Sequence, residues 1–160
     1  MTELRVSDCD SCPFLDRDDD PGLIVVSDFH RLTLATDQLY LGRAYLTLGR
    51  HASRISDLTK DEVFDMYDLI SRYELACEAV YGAIMVTSAT LMNNAYQERK
   101  PVPHVHSHLR PRYARPVNVN GSIFEDPNFG HHHLRNRTHN VSSGLLAEIV
   151  EPLRDAMKSI

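Results

Sequence analysis

The stretch Pro103-His104-Val105-His106-Ser107-His108-Leu109-Arg110-Pro111-Arg112 sets three histidines at alternate positions. Side chains two residues apart share one face of a β-strand. Residues 87–90, Val102, Val105 and residues 117–119 give the surroundings a strand-like composition, and Pro103 and Pro111 disfavour a helix. All three imidazoles are therefore expected to project from one side of a sheet toward one site. Near neutral pH an imidazole can act as nucleophile, proton carrier, anion donor or metal ligand. Cys9-x-x-Cys12 adds two thiols at zinc-ligand spacing, although a structural zinc takes about four ligands and the others must come from elsewhere. Without them the pair reads as two reduced thiols. His131-His132-His133 is a second cluster, but three consecutive side chains cannot converge on one metal from a regular element. It reads as a loop with one histidine near the site or at a subunit contact. His30 and His139 read as packing or surface residues, and Cys77 as a small buried hydrophobe.

Charge is distributed unevenly around these groups. Residues 1–98 carry 17 acids and 8 Lys/Arg, whereas residues 99–160 carry 5 acids and 9 Lys/Arg. No acid occurs between residues 99 and 124, where Arg99, Lys100, Arg110, Arg112 and Arg115 flank the histidines. A net charge of −5 argues against general binding of a nucleic-acid polymer, which needs a basic face. A local cationic pocket in an acidic chain suggests a small anionic ligand, phosphate first. The composition, 42% hydrophobic and 24% charged over 160 residues, is that of an ordinary globular domain. No apolar run approaches the roughly 20 residues that span a bilayer, so no membrane partner is expected. The polar N-terminus does not read as a signal peptide, and three cysteines suit a reducing cytoplasm better than a disulfide framework.

The elements that position the histidines follow from local pattern. Leu23–Val26, residues 31–35 and residues 45–48 read as strands. Thr59 and Glu62 form a capping box ahead of Val63, Met66, Tyr67, Ile70, Tyr73, Cys77 and Val80. One long amphipathic helix is predicted there, ending near Gly82. Residues 83–90 read as a strand and 97–101 as a loop. The histidine strand comes next, followed by a hairpin over 116–124 turning at Asn120-Gly121. Residues 16–20 read as an exposed acidic loop without catalytic meaning, and 126–139 as a loop. Ser142 or Ser143 caps a last helix carrying Leu145, Leu146, Ile149, Val150 and Leu153, which Pro152 should kink or shorten. The fold class is α+β: an antiparallel sheet of about five strands, one long helix and a C-terminal helix. Residues 1–160 read as one domain, with a motif-bearing part at 9–113 and a C-terminal extension at 114–160.

His104-Val105-His106-Ser107-His108-Leu109, with Arg110-Pro111-Arg112, resembles the signature of the histidine triad (HIT) family. The resemblance extends to Cys9-x-x-Cys12-Pro13-Phe14, as in zinc-containing members, to Gly49-Arg50-His51 and Ile55-Ser56-Asp57-Leu58-Thr59 before the long helix, and to Asn93-Asn94. It covers about Cys9 to Tyr113. It implies a mononucleotide site in which His106 attacks an α-phosphate. His104 would orient His106 through its backbone carbonyl, and His108 would bind phosphate oxygens or the leaving group. Asn93 and Asn94, which match the family's asparagine, would contact substrate, and the charges of Arg99 and Lys100, which depart from the family's pattern, are expected to contact it in place of backbone groups. It also implies a structural Zn2+ held by Cys9, Cys12, His51 and His104, with no organic cofactor. Members commonly carry Gly-Gln ahead of the triad, where this chain has Glu98-Arg99-Lys100-Pro101-Val102-Pro103. That departure bears on substrate identity more than on reaction type.

The activity implied is hydrolysis of a nucleoside phosphoramidate or dinucleoside polyphosphate through a nucleotidyl-histidine intermediate. Related transferases and phosphorylases carry glutamine at the third position, so His108 favours water as acceptor. A non-catalytic, zinc-stabilised nucleotide-binding protein is the reading from another class. The family is commonly homodimeric, and exposed apolar residues of the long helix and the strand before it are the expected contact surface.

Overall fold

The computed structural model describes residues 8–15, 17, 19–134 and 136–160. Five strands, β1 (Leu23–Val26), β2 (His30–Leu34), β3 (Ala44–Leu48), β4 (Met85–Thr90) and β5 (His106–Arg112), form one antiparallel sheet in the order β1-β2-β3-β5-β4. Ala44, Leu46 and Leu48 of β3 are buried while Tyr45 and Thr47 are half-buried. This period of two is what a strand with one fully covered face requires. The covering layer is α1 (Lys60–Tyr81), which packs against α2 (Ser143–Ser159). Leu69, Tyr73 and Cys77 of α1 and Ile149, Val150 and Leu153 of α2 join Leu32, Leu46 and Leu109 of the sheet in one apolar core. The opposite face of β2, β3 and β5 is left to form the site.

Helix α1 begins and ends where its sequence signals lie. The Thr59 side chain accepts from the Glu62 amide and the Glu62 carboxylate accepts from the Thr59 amide, completing the capping box. Gly82 closes the helix at φ 72°, a left-handed conformation that costs glycine little. The hairpin β6 (Val117–Val119) and β7 (Ser122–Phe124) turns through Asn120 and Gly121, both at positive φ. Ser142 caps α2, its hydroxyl accepting from the Leu145 amide. The helix is not shortened by Pro152, which lies on the exposed side. The buried stripe Leu146, Ile149, Leu153 and Met157 continues on both sides of the proline. That burial outweighs a penalty of about 3 kcal/mol for an interior proline. Cys77 is fully buried, and burial pushes its thiol up to about 12, so it behaves as a small hydrophobe. No helix among the described residues is long and apolar enough to cross a membrane.

Candidate active site and metal centre

The three histidines do not share one face of one strand. His106 and His108 lie on the open face of β5, opposite Thr47 and Tyr45 of β3. Between them Ser107 turns to the helices, 2.8 Å from Thr90 Oγ1 and 3.8 Å from Met66 Sδ. His104 precedes the strand. The paired register of β3 and β5 ends at Thr47 and His106; the Leu48 amide at the end of β3 still donates to the Val105 carbonyl, but the Val105 amide donates to Ala52, beyond β3. Freed from the ladder, the His104 ring turns inward and is buried. The expectation of three convergent imidazoles is thus corrected by the point at which strand pairing stops.

His104 belongs to a second centre. Its Nε2 lies 2.8 Å from the Leu48 carbonyl, which can only accept, so Nε2 carries the proton. The lone pair of Nδ1 therefore faces Cys9 Sγ at 3.3 Å and Cys12 Sγ at 3.7 Å. His51 Nδ1 stands 3.6 Å from Cys12 Sγ. The four donor atoms lie within 4.8 Å of one another. Tetrahedral zinc with ordinary Zn–S and Zn–N lengths separates sulfur from nitrogen by about 3.5 Å, so the spacing fits. Burial lowers the His51 pKa, keeping the ring neutral as a ligand must be. Burial is also the main cause that raises the Cys9 thiol, a cost that a cation would reverse. Arg50, adjacent to His51, anchors this segment to α1. Its Nε and NH2 groups donate to the two oxygens of Glu62 at 2.5 and 2.8 Å. The Arg50 hydrogen bond is the largest cause that holds the Glu62 carboxyl below its ordinary range.

His106 is oriented by the backbone of its neighbour. Its Nδ1 lies 2.8 Å from the His104 carbonyl and must donate, leaving the lone pair on Nε2. His108 Nε2 is 3.2 Å from that atom. It must then carry a proton and donate, which leaves His108 Nδ1 as a buried acceptor with no partner among the described residues. Burial first, then His106, Arg110, Arg43 and His133, pushes the His108 pKa down to about 3. His108 is thus neutral at physiological pH. The Tyr45 ring meets His108 edge-on, with centroids 5.0 Å apart.

A cleft of about 330 Å³ opens over this pair, bordered by Arg31, Thr33, Tyr45, Thr47 and Asn94. A second, of about 320 Å³, begins on the other side of His108 and Asn94 and is bordered by Asn93. Arg99 and Lys100 are exposed and line a separate groove with Asp8, Asp10 and Glu98, apart from the histidine pair. Asp16 and Asp18 of the acidic run lie outside the described residues. Asp20 borders the first cleft, 3.9 Å from Arg31. Of the His131-His132-His133 cluster, His133 reaches the second cleft. His30 is buried, with Nδ1 2.7 Å from Asp65, and His139 stacks on Phe124. Sequence reasoning missed Arg31, Thr33, Tyr45 and Thr47, which alternation alone could place on one face but not opposite His106 and His108. Arg110, expected only as one of several arginines of a cationic pocket, continues the alternate count of the histidines by one step.

No protein-family model matches the chain, and no curated protein sequence matches it. Solved structures do. A zinc-bound histidine triad family protein from Mycobacterium smegmatis superposes with a TM-score of 0.62 at 19% identity, over 95% of this chain and 94% of that one. A hypothetical histidine triad nucleotide-binding protein from Sulfolobus tokodaii gives 0.67 at 12% identity, over 94% and 93%. The diadenosine triphosphate hydrolase of Plasmodium falciparum, solved with cyclomarin A, gives 0.60 at 14% identity, over 88% and 79%. The chain has the histidine triad fold. Its five-stranded antiparallel sheet, long helix and C-terminal helix are those expected from the sequence.

Proposed function

We propose that this protein is a nucleotide hydrolase that cleaves at an α-phosphate through a nucleotidyl-histidine intermediate. The observation that carries the reading is the 2.8 Å contact from His106 Nδ1 to the His104 carbonyl, which fixes the Nε2 lone pair at the cleft. On binding, a phosphate takes the place of His106 as acceptor for the His108 Nε2 proton. Nε2 of His106 then attacks phosphorus, an N–P bond forms, and the bond to the leaving group breaks with its electron pair. Water attacks next, the N–P pair returns to Nε2, and the water's proton is released as the nucleoside monophosphate departs. Asn94, at the junction of the two clefts, is placed to hydrogen-bond the phosphate or ribose.

The reading extends to a structural zinc held by Cys9, Cys12, His51 and His104, which when bound supplies a closed cross-link and no reactive position. It also extends to a homodimer and to a reducing, cytoplasmic setting, supported by the free thiols of Cys9, Cys12 and Cys77. Purified protein incubated with a dinucleoside polyphosphate should release nucleoside monophosphate. A brief quench should leave a protein whose mass is raised by one nucleotidyl group. The His106→Ala variant, its fold checked by circular dichroism, should lose both. Undiminished turnover by that variant would sink the mechanism.

A further inference from the structure

Counting past the triad, the next residue on the open face of β5 is Arg110. It pairs across β4 with Thr87, and Arg43 immediately precedes Ala44, which faces Leu109 in the ladder. The two arginines therefore stand side by side, one step along the sheet from Tyr45 and His108. Arg110 is only 7% exposed, yet its side chain makes no hydrogen bond or ion pair with any described residue. A buried cation is normally paired, because removing it from water costs several kcal/mol. Its neighbour is already engaged: Arg43 is paired with Asp37 and reaches the Tyr45 hydroxyl at 3.3 Å. Arg112, one step further, is held by both oxygens of Asp126 and by the carbonyls of Asn128 and His131. Arg110 alone in this row has its guanidinium in reserve.

The second cleft is where it lies. Three arginines (Arg43, Arg110 and Arg137) and one acid (Asp37) border that cavity, together with His108, Asn94 and His133. The charge is net positive, and a concave site lined mainly by one sign of charge focuses its field on an anion. His108 and Asn94 border both clefts, so a group seated against Arg110 is continuous with one seated over His106.

We propose that the Arg110 cleft is a subsite for the phosphoryl groups of the leaving group. The substrate class it selects is a nucleoside polyphosphate or dinucleoside polyphosphate, not a phosphoramidate with an uncharged amine. This rests on the hydrolase reading above and narrows it. A planar guanidinium presents paired N–H donors matched to phosphate oxygens, and a desolvated one strengthens each bond. The state of His108 agrees with the assignment. Burial first, and then its neighbours His106, Arg110 and Arg43, keep it neutral, so it is a poor source of the proton that an amine needs to leave. A pyrophosphoryl group departs as an anion, carrying the electron pair of the broken P–O bond onto an oxygen that Arg110 stabilises.

Binding and turnover test separate parts of the claim. Inorganic pyrophosphate titrated into the full-length protein by calorimetry should bind at millimolar concentration or below. Arg110→Leu should weaken that binding about tenfold or more, and Arg110→Lys less, since it keeps the charge and loses the fork. The ratio of kcat/KM for a dinucleoside triphosphate over an adenosine phosphoramidate should fall about tenfold in Arg110→Leu. Thermal unfolding of each variant identifies any that misfolds, and Arg110→Lys then carries the comparison. Equal pyrophosphate binding by wild type and folded Arg110 variants would overturn the subsite, as would its absence in wild type. Arg110-dependent pyrophosphate binding with no hydrolysis of either substrate would instead leave the subsite standing and overturn the hydrolase reading.

Discussion

His106 and His108 are the same side chain two positions apart, yet their surroundings give them different work. The carbonyl of His104 forces the proton of His106 onto Nδ1 and turns the nucleophilic lone pair outward. His108 then becomes the donor in a 3.2 Å contact, and in the free protein it covers the atom proposed to attack. Burial and the nearby His106, Arg110, Arg43 and His133 depress its pKa to about 3, well below an ordinary histidine near 6.5. Between those values the unfolded chain binds the extra proton and the folded one does not. The contribution of His108 to stability therefore rises with pH across this window and is lost progressively as pH falls from about 6.5. Nitrogen-detected NMR should show the Nδ1–H tautomer for His106 and the Nε2–H tautomer for His108. The His108 signals should not titrate between about pH 5 and 8. A midpoint in that range would disprove the arrangement.

Elements whose limits are written locally were the legible ones. Thr59 and Glu62 open α1 and Gly82 closes it, and Asn120-Gly121 turns the β6–β7 hairpin, because each signal acts within four residues. The start of β5 was not legible, since it is decided by β3 ending at Leu48 and by Ala52, beyond that end, accepting from the Val105 amide. Pro152 does not shorten α2, because a local penalty is weaker than the apolar stripe packed on α1 and β1. Cys9-x-x-Cys12 could be read from spacing, but His51 and His104 lie far away in sequence and entered only through resemblance. Residues 8–15 contain no strand, only one short 3-10 turn at Cys12–Phe14, and their Cys9 and Cys12 thiols meet His104 and His51, so a metal bound there would tie them to the sheet. Purified protein should carry one zinc per chain by elemental analysis. A ligand present at a thousand times its Kd stabilises by about 4 kcal/mol, so a strong chelator should lower the unfolding free energy by several kcal/mol. Cys12→Ser should reproduce that loss, and a chelator without effect on the melting temperature would refute the site.

At the scale of the molecule, alternation showed which side chains share a face, but only the register β2-β3-β5 set Arg31, Thr47 and His106 in one row and Thr33, Tyr45 and His108 in the next. The same strand order corrects the expected contact surface. β3, the strand before the long helix, lies between β2 and β5 and has no free edge, whereas β4, the strand after it, is outermost. Met85 at the start of β4 and the preceding Ile84 are 45% and 62% exposed. On α1, Phe64, Tyr67 and Leu75 form a stripe in which Phe64 is 77% and Tyr67 63% exposed. Glu74 of the same helix accepts from the Val86 amide, which places that stripe beside the β4 edge. A strand edge with no neighbouring strand, next to exposed aromatic side chains, is a surface that a second copy can cover, extending the sheet while burying the rings. A two-fold contact of this kind predicts a dimer in sedimentation-velocity measurements at micromolar concentration. Phe64→Glu would bury a charge at the contact in each copy, so it should weaken association by about tenfold or more and leave the circular dichroism of the chain intact. Wild-type protein that sediments at the mass of one chain across that range would exclude the assembly. Dimerisation untouched by Phe64→Glu would move the interface away from α1.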